Sequence, residues 1–254
     1  KLERLPGLAA ELVQLKVDVI VSGTAPGIRA AKEATKTIPI VIVTTEDPVA
    51  TGLIESLAHP GGNITGVTRL TRDLSGKRLE LFKEAIPKIS RVGVLVDASG
   101  QTMATAFQEY TTVARALKIQ VQSLEVQNPN PDFESAFQAA AKGRVNALVT
   151  VSGALFLDNA KRIAELAIKN RLPSMHENIE NVEAGGLMSY TANDADNYKR
   201  AAVYVDKILK GRKPADLPVE QPMRFDFIVN LKTAKQIGVT IEPNVLVRAN
   251  RVIR

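Results

Sequence analysis

The chain has 254 residues, 45% of them hydrophobic, enough to bury one large core or two smaller ones. It contains no cysteine, which excludes disulfides and thiolate metal sites, and its longest apolar runs are too short to span a membrane. A net charge of +6 raises nucleic-acid binding, but aromatics make up only 4%, tryptophan is absent and the basic residues are scattered over many helices, so the charge reads as solvated helix faces.

Leu5, Leu8, Ala9, Leu12 and Val13 recur at helical spacing and predict a first amphipathic helix. A strand follows over 17–22 and a helix opens at Pro26, where a first-turn proline loses no hydrogen bond. Thr37 to Val43 predicts the next strand, and Asp47-Pro48 reads as N-cap and first turn of a helix reaching His59. Pro60-Gly61-Gly62-Asn63 is a turn, and Ile64 to Val67 a short strand.

From Ser75 the alternation repeats: helix 75–86, strand 91–96, helix 102–117, strand 119–125. Asp132 caps a helix whose face is Phe133, Ala136, Phe137 and Ala140. A strand at 145–151, a helix at 156–170, short strands at 172–175 and 187–190, and a long helix from Asp194 to Leu209 follow. The tail carries one strand, 225–230, and two short helical pieces.

Strands alternating with helices predict an α/β protein with doubly wound parallel sheets. Roughly ten strands are many for one sheet of this size, so two lobes of about five strands each are expected. Segments 63–75 and 190–194 serve as crossings, dividing the chain into 1–68 plus 192–224 and 69–191 plus 225–254. The first lobe has only three strands before the crossing, leaving Val17–Val21 as a bare apolar edge. A strand–helix–strand unit ahead of Lys1 is therefore expected, with the first lobe incomplete at its N-terminus.

The strands share one ending: an apolar run stops at a short loop rich in hydroxyl, glycine and acidic residues. In an open parallel sheet such loops lie at one edge, where ligands bind. The candidates are Ser22, Gly23 and Thr24; Thr44 and Thr45; Asp97 and Ser99; Ser152 and Phe156; Glu177 and Asn178; and Tyr190 at the second crossing. The loop Ser22-Gly23-Thr24 precedes a helix, whose unpaired N–H groups suit a carboxylate; Thr24 or Ser22 could equally serve only as its cap. Asp97 has a turn or cap as its plain alternative, Glu177 an exposed place in a first helical turn, Phe156 a place in the core, and Tyr190 simple packing at the crossing. His59 and His176, the only histidines, do not cluster, and without cysteine they make a weak metal case. No nucleophile elbow, phosphate loop, dinucleotide fingerprint or other cofactor motif is present.

Several segments together resemble the substrate-binding proteins of ABC transporters, closest to the tryptophan/tyrosine-type or uncharacterised branch. They include Arg4-Leu5-Pro6, Ile38-Pro39-Ile40-Val41, Leu57 to Gly66, Lys77-Arg78-Leu79-Glu80-Leu81, Glu183 to Tyr190, Ile208 to Gly211, Pro214 to Pro218 and Asn230 to Ala234. The resemblance implies a type I periplasmic binding fold, with two lobes joined by a multi-crossing hinge that closes over a ligand. It implies that Ser22–Thr24 and Thr44–Thr45 clamp a carboxylate and that an acidic residue near Glu177 pairs an ammonium group. The expected partners are a small carboxylate-bearing ligand, an aromatic amino acid or a simpler carboxylic acid, and a membrane permease, with neither nucleic acid nor direct membrane insertion. The expected location is periplasmic or otherwise extracytoplasmic. A two-lobed α/β enzyme and the ligand-sensing domain of a regulator are the alternatives; no catalytic group at a strand end and no DNA-binding segment favours them.

Overall fold

The computed structural model describes residues 2–45, 47–69, 74–98 and 103–254. The chain divides into two compact units, Lys1–Thr71 with Ala192–Phe225 and Arg72–Thr191 with Asp226–Arg254.

The first unit begins with α1 (Leu5–Gln14), β1 (Ile20–Ser22), α2 (Ala25–Ala34), β2 (Ile40–Thr44) and β3 (Ile64–Thr68). The three strands form a parallel sheet in the order β1-β2-β3. All five residues of β2 are buried. Alternate side chains of a strand point to opposite faces. Ile40 and Ile42 accordingly pack with Ile28 and Ala31 of α2, while Val41 and Val43 pack with Ala201, Tyr204 and Ile208 from the unit's returning helix. That two-sided burial explains why β2 reads as an unbroken apolar run. Gly66 sits at φ +139°, and a Cβ there would meet the Ile42 carbonyl oxygen at 2.2 Å, so only glycine fits against β2. The outer edge of β3 is joined by the returning segment: Thr68 N–H donates to Glu220, and Thr65 donates to the Leu217 carbonyl. Among the described residues β1 pairs only with β2, and Val21 is 53% exposed.

The second unit continues with α3 (Ser75–Ala85), β4 (Arg91–Asp97), α4 (Met103–Ala116), β5 (Gln120–Val126), α5 (Phe133–Lys142), β6 (Ala147–Thr150), α6 (Ala154–Asp158), α7 (Ala160–Lys169), β7 (Ser174–His176), α8 (Ile179–Glu183) and β8 (Met188–Ala192). Helix α9 (Asp194–Leu209) belongs to the first unit. The chain then completes the second sheet with β9 (Phe225–Asn230), α10 (Leu231–Ile237), α11 (Pro243–Leu246) and β10 (Arg251–Ile253). The seven strands run β10-β9-β8-β7-β6-β4-β5. With the expected tail strand in place as β9, the sheet goes beyond the strands read from sequence by the three-residue β10.

One device ends four of the helices. Lys16, Lys118, Arg144 and Arg171 follow α1, α4, α5 and α7 with φ of 54°, 55°, 55° and 52°. In each case the next N–H reaches back to a carbonyl five residues earlier: Val17 to Leu12, Ile119 to Ala114, Val145 to Ala140 and Leu172 to Ala167. This is the left-handed helix stop in which glycine is usual. Here a cation takes the position, where it also faces the negative end of the helix dipole.

Two expectations are corrected. No helix covers 48–59: the Asp47 carboxylate accepts from Val49 N–H and Ala50 N–H, but the chain turns over at Gly52, whose φ is +68°. His59 therefore lies in a turn, its N–H held by Ser56. The helix expected over 156–170 is two, α6 and α7, because the Asn159 side chain donates to the Leu155 carbonyl at 2.8 Å and competes with the helical ladder.

Candidate functional site

At the strand ends of the first unit, Thr24 caps α2 and its hydroxyl accepts from Gly27 N–H at 3.3 Å. The Ser22 and Thr24 hydroxyls both lie 2.9 Å from the place a Gly27 Cβ would occupy, so the two hydroxyls crowd the first turn of the helix. Gly23 lies under Tyr198 of α9; a Cβ there would meet the tyrosine hydroxyl at 2.7 Å. Thr44, buried, stands opposite Thr68 in the β2–β3 register, and Thr45 follows it half-buried.

Arg69, which sequence reasoning passed over, joins this edge. Its N–H donates to the Thr44 carbonyl at 2.7 Å, its guanidinium lies 5.8 Å from the Tyr198 ring centroid, and its Nε is 3.1 Å from the Asp194 carboxylate. The strand-end rule would have found it, since Arg69 directly follows β3.

At the strand ends of the second unit the polar groups are tied together over long sequence distances. Glu177, directly after β7, is 4% exposed, and Arg78 of α3 is fully buried. Arg78 Nη1 and Glu177 Oε1 are 3.1 Å apart. The Tyr110 hydroxyl donates to the same oxygen at 2.8 Å, while Oε2 accepts from Ser152 N–H at 2.7 Å. Arg78 Nε donates to the Tyr190 carbonyl at 2.8 Å. Burial, and then the negative charge of Glu177, raise the Tyr110 hydroxyl well above the ordinary tyrosine range, so it remains a proton donor. The exposed reading of Glu177 is thus corrected: its carboxylate is committed inside the unit.

Asn178 sits beside this network, 3.4 Å from the Ser152 hydroxyl through Oδ1, while its amide nitrogen is buried without a hydrogen-bond partner. Asp97 is carried to the same edge by β4, whose Leu95 faces Thr150 of β6. Ser99 lies outside the described residues. Tyr190 packs edge-on against Phe227, with ring centroids 6.4 Å apart. Phe156 is 1% exposed within the hydrophobic core, which corrects the stacking expectation.

His176, one of the two histidines that make a weak metal case, is buried between two hydroxyls. Its Nδ1 lies 2.7 Å from the Thr150 hydroxyl and its Nε2 2.9 Å from the Ser174 hydroxyl, which itself accepts from Leu187 N–H. Burial lowers its pKa to about 3, so the ring is neutral and structural. Gly186 makes room for it, since a Cβ there would lie 2.3 Å from Nε2. Among the described residues no group of His, Asp and Glu is arranged to hold a metal ion, and no helix is long and apolar enough to cross a membrane.

Each unit carries polar groups at the ends of its parallel strands, the place where open α/β sheets bind ligands. Residues 2–253 match the family of ABC transporter substrate binding proteins, and the chain belongs to that family. It is 26% identical over 233 residues to a tyrosine-binding protein of Clostridioides difficile, a match covering 91% of this chain and 66% of that relative. Among solved structures it is similar to a conserved domain protein from Vibrio cholerae, with TM-score 0.89 and 27% identity over 99% of this chain and 84% of the other. It is also similar to a Streptococcus pneumonia ABC domain in complex with L-Trp, with TM-score 0.86 and 25% identity over 100% and 84%. The architecture is that of the type I periplasmic binding proteins.

Proposed function

We propose that the protein is the solute-binding component of an ABC import system and captures a small carboxylate-bearing ligand, an aromatic amino acid being the first candidate. The observation that carries this is the edge of the first unit. There Ser22 and Thr24 at the start of α2, Thr44 and Thr45 after the neighbouring strand, and Arg69, paired with Asp194, stand at adjacent strand ends, groups suited to a carboxylate. Support for the aromatic side chain comes from the relatives, one named for tyrosine and one holding L-Trp. Ser152, Asn178 and Tyr190 would supply further ligand contacts from the second unit, with Asp97 beside them. In this reading the protein works outside the cytoplasmic membrane and delivers its ligand to a membrane permease. Calorimetric titration with tryptophan, tyrosine and benzoate decides the ligand class. Saturable heat with either amino acid supports the proposal, and no heat with any of the three removes it.

A further inference from the structure

We propose that Arg78, Tyr110 and Glu177 are positioning residues: a buried clasp that holds the ligand-contacting strand-end loops of the second unit in place and does not itself pair a ligand charge. The role assigned to those loops rests on the ligand reading above.

The connectivity of the clasp carries the argument. One Glu177 oxygen takes both Arg78 of α3 and Tyr110 of α4, while the other holds Ser152 N–H in the loop after β6. Arg78 continues the chain to the carbonyl of Tyr190 on β8. Two helices and two strand-end loops therefore meet at one carboxylate, and Arg78 ties the strand β8 to it. A buried carboxylate facing an arginine at 3.1 Å has its charge compensated inside the protein. A ligand ammonium approaching it would compete with a partner that is already fully desolvated. Besides the Asp97 carboxylate, the edge offers neutral groups: the Ser152 hydroxyl and the Asn178 amide, whose buried nitrogen lacks a partner. The clasp aims these groups, because Ser152 is held through its own N–H and Asn178 is the residue after Glu177.

The test uses the whole chain and two probes with the same ring and carboxylate, L-tryptophan and indole-3-propionate, of which only the first carries an amine. Glu177→Gln is expected to weaken both by the same factor, on the order of tenfold, the scale of one charge-assisted hydrogen bond. Hydrogen exchange at Ser152 N–H is expected to quicken in the same variant, with the amides of β5 unchanged. Loss confined to L-tryptophan would show that Glu177 pairs the ammonium and would overturn the proposal. Unchanged exchange at Ser152 would overturn it too, even where neither probe binds the wild type, an outcome that removes the ligand reading alone. Should Glu177→Gln fail to fold, Tyr110→Phe removes a single donor and carries the same two readouts, with smaller effects of the same pattern.

Discussion

The two strand-end edges of this protein satisfy their polar groups by different means. In the first unit the helix start is closed locally, Thr24 receiving Gly27 N–H three residues on, and the long-range Arg69–Asp194 pair leaves its carboxylate 45% exposed. In the second the partners are far: Glu177 meets Arg78 across 99 positions, and Arg78 meets Tyr190 across 112. A local cap forms as soon as its helix forms and can be lost without disturbing the core. A long-range buried clasp exists only when the whole unit is assembled, and the unit in turn depends on its being complete.

The sharpest break of this contrast is Arg78→Leu. It leaves the Glu177 carboxylate buried beside an apolar side chain, and removing one partner of a buried pair costs about 3–5 kcal/mol. Urea unfolding is expected to show that loss. Adding Glu177→Leu is expected to recover part of it, because an apolar pair carries no desolvated charge. A single-variant loss below about 1 kcal/mol, the scale of an exposed ion pair, would mean that the clasp is no more than a surface contact.

The second way to sharpen it is by pH, through the other buried polar link of the second unit. His176 is held neutral, with a pKa of about 3 against an ordinary 6.5. Below pH 6.5 the unfolded chain takes up the proton and the folded chain does not. The stability owed to the neutral ring is therefore complete above pH 6.5 and is lost as pH falls toward 3, at up to about 1.4 kcal/mol per pH unit. Urea midpoints at pH 7.5 and 4.5 should differ less for His176→Gln than for the wild type. Equal differences would show that His176 takes up its proton in the folded state.

The same contrast separates what was legible in the sequence from what was not. Helix α9 runs over 194–209 as its periodicity predicts, and Asp132 caps α5 through Ser135 N–H. Both depend on residues three or four apart. The strands ending at Ser22, Thr44, Asp97 and Thr150 were legible from apolar runs stopped by polar loops, and with them the α/β class. The clasp was not legible: Arg78 sits in an ordinary helical pattern, and nothing local distinguishes it from the exposed Lys77 beside it. Glu177 reads from sequence either as the partner of a ligand ammonium or as a solvated first-turn carboxylate, because its compensating charge lies 99 residues away. The cationic helix stops at Lys16, Lys118, Arg144 and Arg171 were missed for another reason: glycine advertises a left-handed position, and a lysine or arginine there reads as surface. The helix expected over 48–59 failed because a good start, Asp47-Pro48, was followed by Gly52, which takes the positive φ that ends it.

Thr24→Ala probes the local end of the contrast and carries the smallest expected effect. The Thr24 hydroxyl accepts a single N–H, that of Gly27, at the start of α2. Its removal should cost about 1 kcal/mol, the usual worth of an N-cap. Hydrogen exchange should quicken in the first turn of α2 while the buried amides of β2 keep their protection, because Ile40 to Val43 are packed from both faces of the sheet. The same substitution removes one of the hydroxyls proposed to meet the ligand carboxylate. A cap alone changes stability and leaves affinity per folded molecule intact; a cap that also binds ligand changes both. Melting and titration of this one variant therefore separate the two roles that the sequence left equally open. A loss of affinity accompanied by no loss of stability would show that the cap bond is dispensable and that ligand contact is what the hydroxyl contributes.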